Sequence, residues 1–318
     1  MTTIIYREQE GTGLGEYARV LMKGLTQIGY KFNPLPIVEN SKFKRLRSYL
    51  APNAHYTEPF SFVLGADLMT IHDLDFGNSS RKYRLSLEYS IKSAKHLVVS
   101  SNVVADEFAN WYPPLRERIT VAHWGVDTDL FNFSSDDIRT YDSMDHDKIR
   151  VLMVGQLIKR KNFLPVLKQL SNNDKFRITL VSDLRNMMDL DYSRMASEII
   201  DNSSNTFLLS NLSYQELRQQ YLLSDILIQP SLSGGFEMPI YEALAMGTEV
   251  LAYPLAVHKE LLRDIISYSD FNSSLTEEIE SIVDFKKKAH LHDFVESNYS
   301  PRTMAKEMIR AYNEAGVA

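Results

Sequence analysis

The chain contains no cysteine among its 318 residues. That excludes a disulfide framework, a thiolate nucleophile and any thiolate ligand for a metal. It also lacks any apolar run near the roughly 18 residues that a membrane-spanning helix needs. The opening residues, Met1-Thr-Thr-Ile-Ile-Tyr, carry no signal-peptide pattern, so the cytoplasm is the expected compartment. No pair of aspartates is spaced like a metal site, and neither a metal nor a cofactor is expected. What is present suits a globular protein: 44% hydrophobic and 24% charged residues, in a length that accommodates two domains. The net charge of −6 is unevenly spread. Residues 1–100 hold 13 Lys+Arg against 9 Asp+Glu, a balance of +4, which leaves −10 for the remainder. The N-terminal part is therefore the side expected to meet an anionic partner.

One stretch organises the rest. Ser231 to Gly247 reads S-L-S-G-G-F-E-M-P-I-Y-E-A-L-A-M-G, directly after the apolar run Asp225-Ile-Leu-Ile-Gln-Pro230. The run has the length of a buried strand, and Pro230 stops it. Gly234 and Gly235 let the backbone turn and approach a ligand closely. Pro239 suits the start of a helix, and Gly247 its end. Strand, glycine turn and helix N-terminus together make a place that favours a phosphate. Glu242, one turn into the helix, can accept two hydroxyl hydrogen bonds from a sugar or ribose, or simply stabilise the helix.

Elsewhere strand and helix signals alternate, which predicts two doubly wound α/β units. Gly11-Thr-Gly-Leu-Gly15 opens a first helix, as a second anion-binding turn or a plain tight one. It lacks the third glycine of a dinucleotide fingerprint. Asn40 to Leu50 concentrates Lys42, Lys44, Arg45 and Arg47 beside Phe43, Leu46, Tyr49 and Leu50. Such a basic amphipathic segment lies on a membrane or phosphate surface, or is a solvated helix with one side in the core. His72 closes a strand at the carboxyl end, where ligands of open parallel sheets sit, although a lone histidine is also a common structural hydrogen-bonder. Ser134 to Lys148 is polar and acidic without periodicity and is predicted to be a linker. Lys159-Arg-Lys161 follows the next strand, Ile149–Val154, as a phosphate-binding or a solvated turn.

These motifs resemble the family-4 retaining glycosyltransferases. Their nucleotide-sugar pattern is P-S-x-x-E-G-F-G-x-P-x-x-E-A-x-A-x-G, and Pro230, Ser231, Gly235, Phe236, Pro239, Glu242, Ala243, Ala245 and Gly247 match it. Gly234 replaces the first glutamate, and Glu237 replaces the glycine after the phenylalanine. Gly155-Gln-Leu-Ile-Lys-Arg-Lys161 resembles the family's G-R-L-x-x-x-K-G, with Lys161 in place, Gln156 for the arginine, and Arg160 as a partial substitute. His123-Trp-Gly-Val-Asp127 with Phe131 resembles the N-G-V-D…F crossover, with Trp124 for the asparagine.

The resemblance implies the GT-B fold: two Rossmann-like domains facing a cleft, with a C-terminal helix crossing back. The implied domains are 1–147, joined by helix 303–318, and 148–302. It also implies transfer of a hexosyl or pentosyl group from a nucleotide diphosphate sugar to a hydroxyl acceptor. In this reading Glu242 holds the ribose, and Lys161, Arg160, Gln156 and the backbone of Gly234, Gly235, Phe236, Glu237 and Met238 meet the donor. Gly13 and Gly15 face it from the other domain, while Asn211 and Leu212 meet the base. His72, Lys161 and Glu237 form the candidate catalytic set. Lys42, Lys44, Arg45 and Arg47 would meet an anionic or membrane-presented acceptor, placing the enzyme at the inner membrane face. Two alternatives stay open: transfer to a hydroxylated base in DNA, and a non-catalytic subunit that binds nucleotide sugars.

Overall fold

The computed structural model describes residues 1–7, 13–37, 51–59, 63, 65–72, 81–183 and 189–317, and the basic segment Lys42–Arg47 lies outside them. The chain forms two compact units: Met1–Val126 with Asn298–Ala318 (unit 1), and Asp127–Ser297 (unit 2).

Unit 1 is built on strands β1 (Thr2–Arg7), β2 (Phe32–Ile37), β3 (Ala54–Tyr56), β4 (Leu68–Ile71), β5 (His96–Val99) and β6 (Ile119–Val121). They form one parallel sheet in the order β2-β1-β3-β4-β5-β6. β2 tolerates Pro34 and Pro36 because it is an edge strand, and the prolines alternate with residues left free to pair with β1. Ile5, Met69, Ile71, Leu97, Val99 and Phe108 lie in its core. The helix Pro301–Ala315 packs on the first helix, Gly13–Gln27, so the last part of the chain returns to unit 1 as expected. Gly24 permits that approach. A Cβ there would stand 1.9 Å from the Pro301 carbonyl oxygen. The two ends also meet directly, since the Thr2 hydroxyl donates to the Val317 carbonyl at 2.8 Å.

Unit 2 carries β7 (Ile149–Val154), β8 (Phe176–Val181), β9 (Thr206–Leu209), β10 (Ile226–Gln229), β11 (Glu249–Ala252) and β12 (Ser267–Tyr268). The order is β12-β11-β10-β7-β8-β9, again all parallel. β10 is buried along its whole length, which suits the apolar run Ile226–Leu227–Ile228 before the buried Gln229. The sheet therefore reverses its strand order between β7 and β10. The loops leaving those two strands are where an open α/β sheet presents a ligand site.

The polar stretch 134–148 differs from the expected linker. Ser134 and Asp137 form a capping box that starts the helix Ser135–Asp142. Its buried Tyr141 donates to Asp225 at the head of β10, and Arg218 pairs with Asp137 at 2.7 Å. These ties place the stretch inside unit 2, whose residues begin at Asp127. With one buried residue, the helix leaves no apolar periodicity in the sequence. Among the described residues no helix is long and apolar enough to cross a membrane.

Candidate functional site

In unit 2 the loop after β7 and the loop after β10 are clipped together. The Leu232 N–H donates to the Arg160 carbonyl at 2.9 Å, and the Arg160 guanidinium reaches the Ser233 carbonyl at 3.5 Å. The glycine turn then leads into the helix Met238–Ala245, with Pro239 in its first turn and Glu237 at its N-cap. Neither Gly234 nor Gly235 has a positive φ, so the turn itself does not demand glycine. Space is merely tight at Gly234. A Cβ there would lie 3.3 Å from Cγ and Cδ of Glu237. Glu237 thus crowds the room that a side chain at position 234 would need.

The Glu237 carboxylate is not presented to solvent. Its Oε1 accepts from Lys161 Nζ at 2.6 Å and from Gln229 Nε2 at 3.1 Å. Its Oε2 stands 3.1 Å from His258 Nε2. The Glu237 side chain is 3% exposed and that of Lys161 13%. Burial by itself raises a carboxyl group, but the Lys161 ammonium and His258 outweigh it and hold Glu237 far below the ordinary carboxylate range. Glu237, grouped from the sequence with the reacting residues, is therefore the buried counter-ion of Lys161. Lys161 is the cation that borders the site.

Glu242 is also buried, and its Oε2 accepts from the Tyr221 hydroxyl at 2.6 Å. Burial and the neighbouring carboxylate both raise the Tyr221 phenol, which stays protonated and donates. Phe236 stacks on Tyr241 with ring centroids 3.8 Å apart and planes 8° from parallel, so one face of its ring is spent on packing. The Gln156 backbone carbonyl accepts from the Ile158 N–H at 2.9 Å. Asn211 and Leu212 follow the carboxyl end of β9, with Asn211 exposed and left-handed at φ 58.

Unit 1 holds the other named residues. Gly13 and Gly15 lie in the first turn of the helix Gly13–Gln27. His72, just past β4, donates from Nε2 to the Thr57 carbonyl at 2.6 Å, because a carbonyl can only accept. Tyr17 and Trp124 meet its ring edge-on at 4.8 and 4.2 Å between centroids. Burial pushes the imidazole down to about 4, against the effect of the Thr57 bond. His72 is thus a neutral acceptor at Nδ1, suited to a hydroxyl or a developing positive charge. Behind it runs a neutral chain. His55 joins Thr70 at 2.8 Å and Tyr312 at 2.9 Å, and Tyr17 joins Thr70 at 3.0 Å.

Sequence reasoning missed His258, Gln229 and His55. None belongs to a spaced motif; each is placed by topology. Gln229 is the last residue of β10, His258 lies in the helix Ala256–Leu261, and His55 sits in the short strand β3.

The profile of the family described as "Glycosyl transferases group 1" matches residues 135–296, about half of the chain. The O-antigen chain mannosyltransferase RfbU of Salmonella typhimurium is 26% identical over 220 residues, which cover 67% of this chain and 58% of that protein. Among solved structures, sucrose-phosphate synthase from Thermosynechococcus elongatus superposes with a TM-score of 0.76 at 14% identity, covering 98% of each chain. Anabaena HepE in complex with UDP and glucose gives 0.74 at 14% identity, covering 98% of this chain and 99% of that one. WaaG, a glycosyltransferase involved in lipopolysaccharide biosynthesis, gives 0.64 at 14% identity, covering 98% of each. These likenesses share the GT-B fold, with its two parallel sheets.

Proposed function

The chain belongs to the group 1 glycosyl transferases, and on that premise we propose that it moves a sugar from a nucleotide diphosphate to a hydroxyl acceptor with retention of configuration. The observation that supports this best is the meeting of Lys161, the glycine turn and a helix N-terminus at the strand-order reversal of unit 2. The diphosphate lies against Lys161 and the backbone of Gly235–Met238, and Glu242 accepts from the ribose hydroxyls. His72 of unit 1 is the neutral acceptor for a sugar hydroxyl. As the bond from C1 to the phosphate oxygen breaks, its electron pair goes to the diphosphate, where Lys161 offsets the growing charge. The acceptor oxygen bonds to C1 on the same face, and its proton passes to the leaving phosphate oxygen.

The relatives' names favour a carbohydrate acceptor. RfbU is a mannosyltransferase of an O-antigen chain, and HepE is found with UDP and glucose. The site of an anionic or membrane-presented acceptor is assigned to Lys42–Arg47, which lie outside the described residues. The test is turnover with a panel of nucleotide sugars and saccharide acceptors, with the anomeric configuration of the product read by NMR. An inverted product refutes retention. Donor binding without transfer across the panel would make this chain a binding subunit. Glu242→Ala should weaken nucleotide binding by about 1.5–3 kcal/mol, the usual cost of losing hydrogen bonds to a charged acceptor. Unchanged affinity by calorimetry removes the ribose assignment.

A further inference from the structure

His258 touches no surface from which it could meet a ligand, yet it borders the candidate site's most buried charge. Its side chain is 2% exposed. Nδ1 lies 2.9 Å from the Tyr253 carbonyl and Nε2 lies 3.1 Å from Glu237 Oε2. Both ring nitrogens therefore face acceptors. The second contact is short, yet among the described residues neither Glu237 Oε2 nor His258 Nε2, both buried, completes a hydrogen bond. Buried polar atoms are rarely left in that state, and here both members of one pair are. The carboxylate is drawn to one side, because its other oxygen takes both the Lys161 ammonium and the Gln229 amide.

This one-sidedness has a consequence for Lys161. An ammonium held at 2.6 Å by a buried carboxylate is already neutralised and has little charge left for a diphosphate. If it turns outward, Glu237 would remain buried and unpaired unless another donor took it. A small rotation of the carboxylate would align Oε2 with His258 Nε2 and complete the bond that is now imperfect. We propose that His258 is a positioning residue that takes over the Glu237 carboxylate when Lys161 turns to the leaving diphosphate. The inference rests on the donor site proposed above and deepens it. Gly234 leaves the carboxylate room to rotate, since a Cβ at that position would press on it at 3.3–3.4 Å.

The experiment compares UDP with uridine, and GDP with guanosine, on the whole chain and its variants by calorimetry. In His258→Leu the affinity for whichever diphosphate binds should fall about tenfold, and its nucleoside should bind within about twofold of the wild type. Adding Glu237→Gln to His258→Leu should restore at least about threefold, because the trapping carboxylate is then gone. His258→Gln, whose amide can still donate, should stay within about threefold of the wild type and covers the case in which the leucine variant does not fold. Equal losses for nucleoside and diphosphate, no recovery in the double variant, or His258→Gln behaving like leucine would each overturn the proposal. Wild-type protein that binds neither diphosphate would overturn the donor site itself, and this inference with it.

Discussion

The two units share a six-stranded parallel sheet, and both hold buried carboxylates in ion pairs, Glu16 with Arg19 and Glu58 with Arg7 in unit 1. The polar groups around their candidate site residues nevertheless differ in kind. Unit 1 threads neutral groups through its interior, from Tyr312 to His55, Thr70 and Tyr17, with His72 beside them. Unit 2 buries charges in pairs: Lys161 with Glu237, and Arg150 with Asp225. A neutral chain costs little to bury while every donor finds an acceptor, but an added proton disrupts it. A buried ion pair tolerates mild acid and fails when one partner is removed. The difference teaches where each unit is fragile.

The largest effect should come from backbone crowding in unit 1. In Gly24→Ala the new methyl meets the Pro301 carbonyl, which cannot rotate away, so unit 1 should lose about 3 kcal/mol or more. Both tryptophans of the chain, Trp111 and Trp124, lie in unit 1, so their fluorescence follows that unit's unfolding. A melting curve that superposes on the wild type would refute the tight helix contact.

Lys161→Ala tests unit 2 in the corresponding way. It leaves the Glu237 carboxylate without its cation, and turnover should fall about 100-fold, more than ground-state donor binding does. Retention of wild-type kcat would return this lysine to a purely structural ion pair.

Acid should separate the units next. His55 and His72 are lowered to about 3 and about 4 from an ordinary 6.5, chiefly by burial. The unfolded chain therefore takes up protons first as the pH falls. Stability that is complete above pH 6.5 is lost progressively towards pH 4, by about 2 kcal/mol per histidine at about pH 5. Glu237 moves the opposite way and keeps its charge throughout that range. Tryptophan-monitored melting between about pH 7 and 5 should show the loss, and a flat profile would contradict it.

The smallest effect is expected for Gly234→Ala. Here the added methyl presses on the Glu237 side chain, which can shift, so donor turnover should fall only severalfold, about 1 kcal/mol. A loss of turnover as large as that of Lys161→Ala would mean that Glu237 is rigidly held.

Much of this architecture is legible in the sequence because period and punctuation repeat in both halves. The strand–turn–helix from Ile226 to Ala245 and Lys161 after β7 are where local pattern places them. The orientation of Glu237 is not. Its position in the motif suggests a carboxylate aimed at the ligand, whereas His258, 21 positions further on, and Gln229, which ends β10, draw it inward. β3 and β12 span only 3 and 2 residues, too short for an alternating pattern to declare itself. Helix Ser135–Asp142 is hidden by its polarity, since it is held by its caps, the buried Tyr141 and the Arg218–Asp137 pair rather than by an apolar face.

The return of helix Pro301–Ala315 to unit 1 also sets an order of events on the ribosome. Tyr312 must find His55, and Val317 must find Thr2, across nearly the whole length of the chain. Unit 2, continuous from Asp127 to Ser297, is fully synthesised before the segment that completes unit 1. At ordinary rates of synthesis that wait is roughly ten to thirty seconds. Through it the unit 1 sheet is without the helix that packs on Gly24, leaving apolar surface for a chaperone to cover.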